Sequence, residues 1–289
     1  MLVQMAIADA YGLGFEFRPP EWFTRNDLGG YQPHGLHPIT PGCYSDDTQM
    51  ALANAEVMLR HGRDATREDF AEAYVQAFQR DPRLGYAKGF HALLSSVADG
   101  AELLATIRPN SNRGGAAMRA APIGLLDDLD DVLRLADVQA RVTHDTPGGV
   151  ASAQAVALAV HHLVHEGGQL TTLRTRIVDV LGADWATPWD GGEVHEDGMA
   201  IANAAITAAE RGSGLADILQ TAVSYRGDTD TVAAIAVAIA AASPGTLNDL
   251  PQILVGGAEN GSWGLTHLAG VDDALSRMVQ GFGPYRPQR

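Results

Sequence analysis

Apolar residues recur at three- and four-residue steps along most of the chain. In residues 46–61, Met50, Ala53, Val57 and Met58 fall at such steps, the spacing of one helical face. A second helix is predicted over 66–80, with Thr66 as N-cap and Glu68 and Asp69 in its first turn, where acidic groups suit the positive helix end. A third covers 146–166, from Thr-Pro-Gly-Gly through an Ala- and Val-rich run that includes His161 and His162. Residues 194–211 and 229–242 are rich in Ala, the strongest helix former, and read as two more helices. Alternating Val, Ile or Thr runs are scarce, so few strands or none are expected. Glycine pairs at Gly29-Gly30, Gly114-Gly115, Gly148-Gly149, Gly191-Gly192 and Gly256-Gly257 punctuate the helical runs. The pattern is that of an all-α bundle with functional loops at its ends. The turn-rich stretch Trp185 to Gly192 reads as a lid or an exposed loop. No solenoid repeat or composition shift marks a boundary, so residues 1–289 are read as a single domain.

Composition narrows the function. With 289 residues, 46% hydrophobic and 19% charged, the chain can bury a substantial core and is not disordered. Its 20 Lys+Arg against 35 Asp+Glu give a net charge of −15, which argues against general nucleic-acid binding, because phosphate neutralisation needs clustered cations. An anionic small ligand is not excluded, since a metal ion or a helix N-terminus reverses the local field. Cys43 is the only cysteine, so no internal disulfide or cysteine-cluster metal site can form. No run approaches ~18 apolar residues, and no membrane association is expected. The start lacks a basic segment and soon reaches Asp9, unlike a signal peptide, so a cytoplasmic location is expected.

The sharpest chemistry lies in two acidic clusters, each immediately before an apolar helix. The first is Ser45-Asp46-Asp47-Thr48 and the second Gly227-Asp228-Thr229-Asp230-Thr231. Ser45 is a good N-cap, which places Asp46 and Asp47 in a first helical turn. Asp228 and Asp230 would diverge in mid-helix, but a loop-to-helix junction can turn both toward one point. If the junctions meet, four carboxylates converge and repel unless some are protonated or divalent cations neutralise them. An oxygen-only set of Asp carboxylates and Ser45, Thr48 and Thr231 hydroxyls favours Mg²⁺, Mn²⁺ or Ca²⁺ over Zn²⁺. The plainer alternative is that each cluster only caps its helix.

These residues carry a resemblance to the ADP-ribosylglycohydrolases. Ala6 to Phe17 resembles the family's opening helix and its Glu, here Glu16. Ser45 to Thr48 resembles the first metal motif, and Gly227 to Thr231 followed by Ala233-Ala234-Ile235 resembles the second. Ser111 through Arg119 to Pro122-Ile123-Gly124 resembles the glycine loop, and Thr143-His144 the central Thr-His pair. The resemblance implies an all-α, compact orthogonal multi-helix bundle. It implies a site of two divalent cations, Mg²⁺ or Mn²⁺, and hydrolysis of the glycosidic bond of an ADP-ribosyl group. By motif position, Ser45, Asp46, Asp47, Asp228, Asp230 and Thr231 would be the metal ligands. Glu16, Asp47 and Asp230 would take the catalytic roles, with Ser111, Gly114, Gly115 and His144 lining the ADP-ribose site. The substrate would be an ADP-ribosylated protein or small ADP-ribosyl conjugate, and the enzyme a monomer. Arg113-Gly114-Gly115 departs from the Gly-Asn-Gly that many members carry.

Other candidates receive structural readings. His161, His162, His165 and His195 are expected to be structural or surface residues, Asp127 to Asp131 a solvated helix start, and Arg119 a structural partner of a carboxylate. Two rival functions stand. The Asp228-x-Asp230 spacing also fits haloacid-dehalogenase-like phosphatases, where it would follow a buried strand. A non-catalytic ADP-ribose binder on the same scaffold is the other.

Overall fold

A computed structural model describes residues 1–281. Among them are thirteen α-helices: α1 (Leu2–Gly12), α2 (Asp46–His61), α3 (Arg67–Arg80), α4 (Lys88–Leu94), α5 (Gly100–Thr106), α6 (Leu129–Ala140), α7 (Pro147–His165), α8 (Leu173–Leu181), α9 (Gly198–Arg211), α10 (Leu215–Ser224), α11 (Thr229–Ala242), α12 (Gln252–Gly257) and α13 (Leu265–Val279). Among the described residues there is no named strand; only isolated bridges occur, such as Val194 with Gly227. The all-α expectation holds, and the strand that the phosphatase reading needs before Asp228 is absent from the described residues.

Helix starts follow the side chains that satisfy orphan N–H groups. The Ser45, Thr66 and Thr146 hydroxyls accept from Asp47, Asp69 and Gly149 N–H and open α2, α3 and α7. Asp128 opens α6 in the same way, accepting from Asp130 and Asp131. One start differs from its prediction: α9 begins at Gly198, not 194, because the Asp197 carboxylate caps Ala200 N–H. Residues 194–197 do other work, described below.

Burial orders the helices into an inner and an outer set. Every residue of α11 from Thr229 to Ala240 is buried, and α7 is buried along most of its length, as helices apolar on all sides must be. α6 buries only Val132, Leu135, Ala136, Gln139 and Ala140, one stripe at helical spacing, and is an outer helix. α1 packs more extensively on α11 than any other helix pair does. Gly12 lets them approach: a Cβ there would stand 2.5 Å from Asp230 Cα. At that point Thr229 Oγ1 donates to Gly12 O at 2.8 Å.

The stretch from Trp185 to Gly192 is not a lid. Trp185 is 2% exposed and its carbonyl accepts from Arg174 Nη1 at 2.7 Å. The same guanidinium binds Asn203, Thr207 and Glu210 of α9, so the segment is strapped to α8 and α9. None of its residues reaches the main cavity. Among the described residues no helix is long and apolar enough to cross a membrane.

Candidate active site

The N-termini of α2 and α11 open on one cavity of about 800 Å³. Asp46 and Asp47 sit in the first turn of α2; Asp228 precedes α11, and Asp230 and Thr231 lie in its first turn. All five line the cavity, together with Glu16 just beyond α1. The two acidic motifs, about 180 positions apart in sequence, therefore open on the same cavity.

Local structure explains how each motif is aimed. Asp9, buried in the apolar α1, accepts from Ser45 N–H at 3.1 Å, from Thr48 N–H at 3.1 Å and from the Thr48 hydroxyl at 2.6 Å. One carboxylate thus clamps the first turn of α2. The second motif is reached through Arg226 and Gly227, both with left-handed backbone (φ 65° and 76°). That conformation is costly for arginine and reverses the chain just before α11. Val194 braces the reversal: its N–H donates to Arg226 O at 3.3 Å, and its carbonyl accepts from Asp228 N–H at 2.9 Å.

Electrostatically the cluster is unfavourable as it stands. Burial, then the neighbouring carboxylates, holds Asp46, Asp47 and Asp230 well above the usual carboxylate range. Burial also pushes Asp9 and Asp228 up to about 6, with Glu16 adding to the effect at Asp228. Asp47 Oδ2 and Asp230 Oδ1 are buried with no hydrogen-bond partner. Orphaned buried carboxylate oxygens cost more than any other arrangement of those groups unless a cation or proton meets them. Among the described residues no three His, Cys, Asp or Glu side chains form a ready-made metal cage. The acidic groups line one cavity together with Thr231, and carboxylate and hydroxyl oxygens are the donors that hard cations take. Capping alone does not account for the arrangement: Asp228 makes no side-chain cap bond at all.

Ser45 differs from its expected placement. It is fully buried and does not line the cavity, and its hydroxyl accepts the Asp47 N–H. Its place is behind the acidic groups, holding the turn that presents them.

The remaining predicted residues line the same cavity, with Gly114 close against Thr231. Ser111, Gly114, Gly115 and His144 all line the cavity, and an Asn110–His144 bridge joins their loops. Gly115 lies flat against the imidazole: a Cβ there would come within 2.8 Å of His144 Cε1. Burial pushes His144 down to about 3, so it is neutral at physiological pH. Thr143 Oγ1 accepts from Arg119 Nη2 at 2.7 Å and lies 2.6 Å from His144 Nδ1. Where the hydroxyl gives its proton to Nδ1, the neutral ring carries its own on Nε2. Arg113, the departure from the family pattern, pairs with Glu196 at 2.7 Å at the cavity edge.

Arg119 is structural, but not through a carboxylate. Its guanidinium is buried, bound to Gln139 side chain and carbonyl and to Thr143, and stacked 4.4 Å from the Tyr74 ring centroid. His161 is buried with Nδ1 on Leu126 O, and His195 is exposed, in line with their structural readings. Sequence reasoning missed Asp9 and His34. Asp9 carried a signal, a lone acid inside an apolar helix. His34, 2.6 Å from Glu16, carried none, because only the folded loop brings it there.

Comparison with known proteins agrees with this architecture. A family model described as ADP-ribosylglycohydrolase matches residues 1–281. An ADP-ribosylarginine hydrolase Tri1 from Serratia proteamaculans is 27% identical over 266 residues, covering 86% of this chain and 71% of its own length. The Tri1 of Pseudomonas putida is 24% identical with coverage of 87% and 71%. Human ADP-ribosylhydrolase ARH3 is 34% identical over 140 residues, 43% of this chain and 38% of ARH3. A solved ADP-ribosylglycohydrolase-related protein complex shares the fold, with a TM-score of 0.71, 23% identity and 96% coverage of both chains. With the family model spanning every described residue, the chain belongs to the ADP-ribosylglycohydrolase family and is an ADP-ribosyl glycohydrolase.

Proposed function

We propose that this enzyme hydrolyses the bond between ADP-ribose and an arginine side chain, using two divalent cations, Mg²⁺ or Mn²⁺. The observation that carries the reading is the convergence of Asp46, Asp47, Asp228 and Asp230 on one cavity, with Asp47 Oδ2 and Asp230 Oδ1 buried and unpartnered. Two doubly charged cations balance four carboxylates, and an all-oxygen donor set suits Mg²⁺ or Mn²⁺. The four aspartates and Thr231 would hold them, with Ser45 fixing the α2 turn. Bound there, the cations supply positive charge that holds the ribose hydroxyls and acidifies a water.

The chain's own residues do the rest. The Gly114-Gly115 backbone and the Nε2–H of neutral His144 supply uncharged donors for the ADP-ribose moiety, which suits an otherwise acidic cavity. Glu16 takes a proton from the attacking water as its oxygen bonds to the anomeric carbon. The bond from that carbon to the guanidino nitrogen breaks through an oxocarbenium-like state, its electron pair leaves with that nitrogen, and the nitrogen takes up the proton that Glu16 received from the water. Support for arginine as acceptor comes from the two Tri1 relatives, each named as an ADP-ribosylarginine hydrolase and matched over most of this chain.

The test is release of free ADP-ribose from ADP-ribosyl-arginine, ADP-ribosyl-serine, O-acetyl-ADP-ribose and ADP-ribosylated nucleic-acid ends, with chelator and with Mg²⁺ or Mn²⁺. Cleavage of the arginine conjugate, lost in chelator and restored by either metal, is expected. Turnover indifferent to chelation ends the metal proposal. Tight ADP-ribose binding with no turnover of any conjugate would favour the binder.

A further inference from the structure

The segment between α1 and α2 lines part of the cavity and brings His34 to Glu16. The His34 side chain is 2% exposed and its Nε2 lies 2.6 Å from Glu16 Oε2. Its other nitrogen is already committed: Nδ1 accepts from Leu36 N–H at 2.9 Å and from His37 N–H at 3.0 Å. A backbone N–H can only donate, so Nδ1 is the acceptor and the ring proton sits on Nε2, aimed at Glu16. The loop is fixed from outside by Arg18, which donates to Pro33 O at 2.5 Å. Two N–H groups, one imidazole and one carboxylate thus form an ordered relay in which each donor has a single acceptor.

We propose that His34 is a positioning residue for Glu16. The imidazole Nε2–H occupies Oε2 and fixes the carboxylate's rotamer, which leaves Oε1 as the oxygen that receives the water proton. The logic is that of a base oriented by a third group. The inference rests on the assignment of Glu16 as the proton acceptor, and Glu16 is not among the residues that would hold the cations.

Two substitutions separate this role from loop packing. In His34→Asn the amide oxygen falls where Nδ1 was and still accepts from Leu36 and His37, but nothing reaches Glu16. In His34→Gln the amide nitrogen reaches the Nε2 position and still donates. On ADP-ribosyl-arginine, H34N is expected to lower kcat by roughly 10–100-fold with KM within about threefold, the size of effect that misplacing a catalytic group produces. H34Q should recover most of that loss. Adding H34N to Glu16→Gln should cost nothing further, because the group it positions is already gone. In ¹⁵N-histidine NMR spectra of the full chain, the signal lost in H34N should be that of a neutral Nε2–H tautomer. Wild-type kcat in H34N, equal losses in H34N and H34Q, an H34N loss that adds in full to E16Q, or an Nδ1–H tautomer overturns the proposal. Wild-type turnover in E16Q alone overturns the assignment of Glu16 itself and is read separately.

Discussion

Removing one charge from the acidic cluster should stabilise the metal-free protein while destroying its function. Asp228→Asn is the cleanest case, because Asp228 makes no side-chain cap bond that the change could break and an amide has the same shape as the carboxylate it replaces. Burial pushes Asp228 up from 3.8 to about 6. That rise of roughly two units sets a ceiling of about 3 kcal/mol on the cost of keeping the group ionised in the fold. Water reaching the half-buried carboxyl through the cavity screens part of this and leaves about 1–2 kcal/mol. A folded-state pKa above the unfolded one means this cost is absent below about pH 3.8, where both states are protonated, and is fully developed once pH has risen through about 6. In chelator at pH 7.5, calorimetry should therefore show the variant melting roughly 2–4 °C above wild type, given the usual entropy of a chain this long. The gap should narrow as pH falls through about 6 and close only below about pH 3.8, where Asp228 is protonated in the folded and the unfolded wild type alike. A variant that melts at or below wild type at pH 7.5, or a gap that widens as pH falls, would refute the electrostatic account.

Other substitutions probe the remaining parts. Asp46→Ala and Asp230→Ala should each lower ADP-ribose release by about a thousandfold or more with an unchanged circular dichroism spectrum, and a near-wild-type rate in either would remove the two-cation proposal. Arg119→Met should lower the urea-derived stability by about 3 kcal/mol, since it leaves Gln139 and Thr143 without their buried donor; a loss under 1 kcal/mol would show that the network contributes little. Gly115→Ala should weaken ADP-ribose binding about tenfold in titration calorimetry, because its Cβ displaces the His144 ring, and unchanged affinity would argue against that wall as the ligand's seat.

Legibility followed the range of the interactions involved. α2, α3, α7 and α11 were readable to within a residue or so because each start is written locally, most of them with a cap side chain beside an apolar periodic run. α9 began four residues late because Val194 is drawn into a bridge with Gly227, a partner that local sequence does not announce. The acidic motifs were visible because acids before an apolar helix are conspicuous. Their meeting was not, since it depends on how α1 seats against both. Ser45 reads from the sequence both as an N-cap and, by the family motif, as a metal ligand, because the two roles ask for the same hydroxyl. The choice between them depends on which way the turn faces, and it faces inward. Arg119 was assigned a carboxylate on general grounds, whereas Gln139 and Thr143 sit 20 and 24 positions away and form a neutral cradle no spacing rule predicts.

The close seating of α1 also sets a schedule for biosynthesis. Its principal partner, α11, lies 217 positions downstream at the Gly12–Thr229 contact. At ordinary ribosomal speeds of about 5–20 residues per second, the first helix waits on the order of 10–40 s before the surface it docks against exists. Nine of its eleven residues are buried in the finished molecule, so a greasy nascent segment spends that interval without its native cover. The same helix that aligns both halves of the site is thus the one whose native cover arrives latest in synthesis.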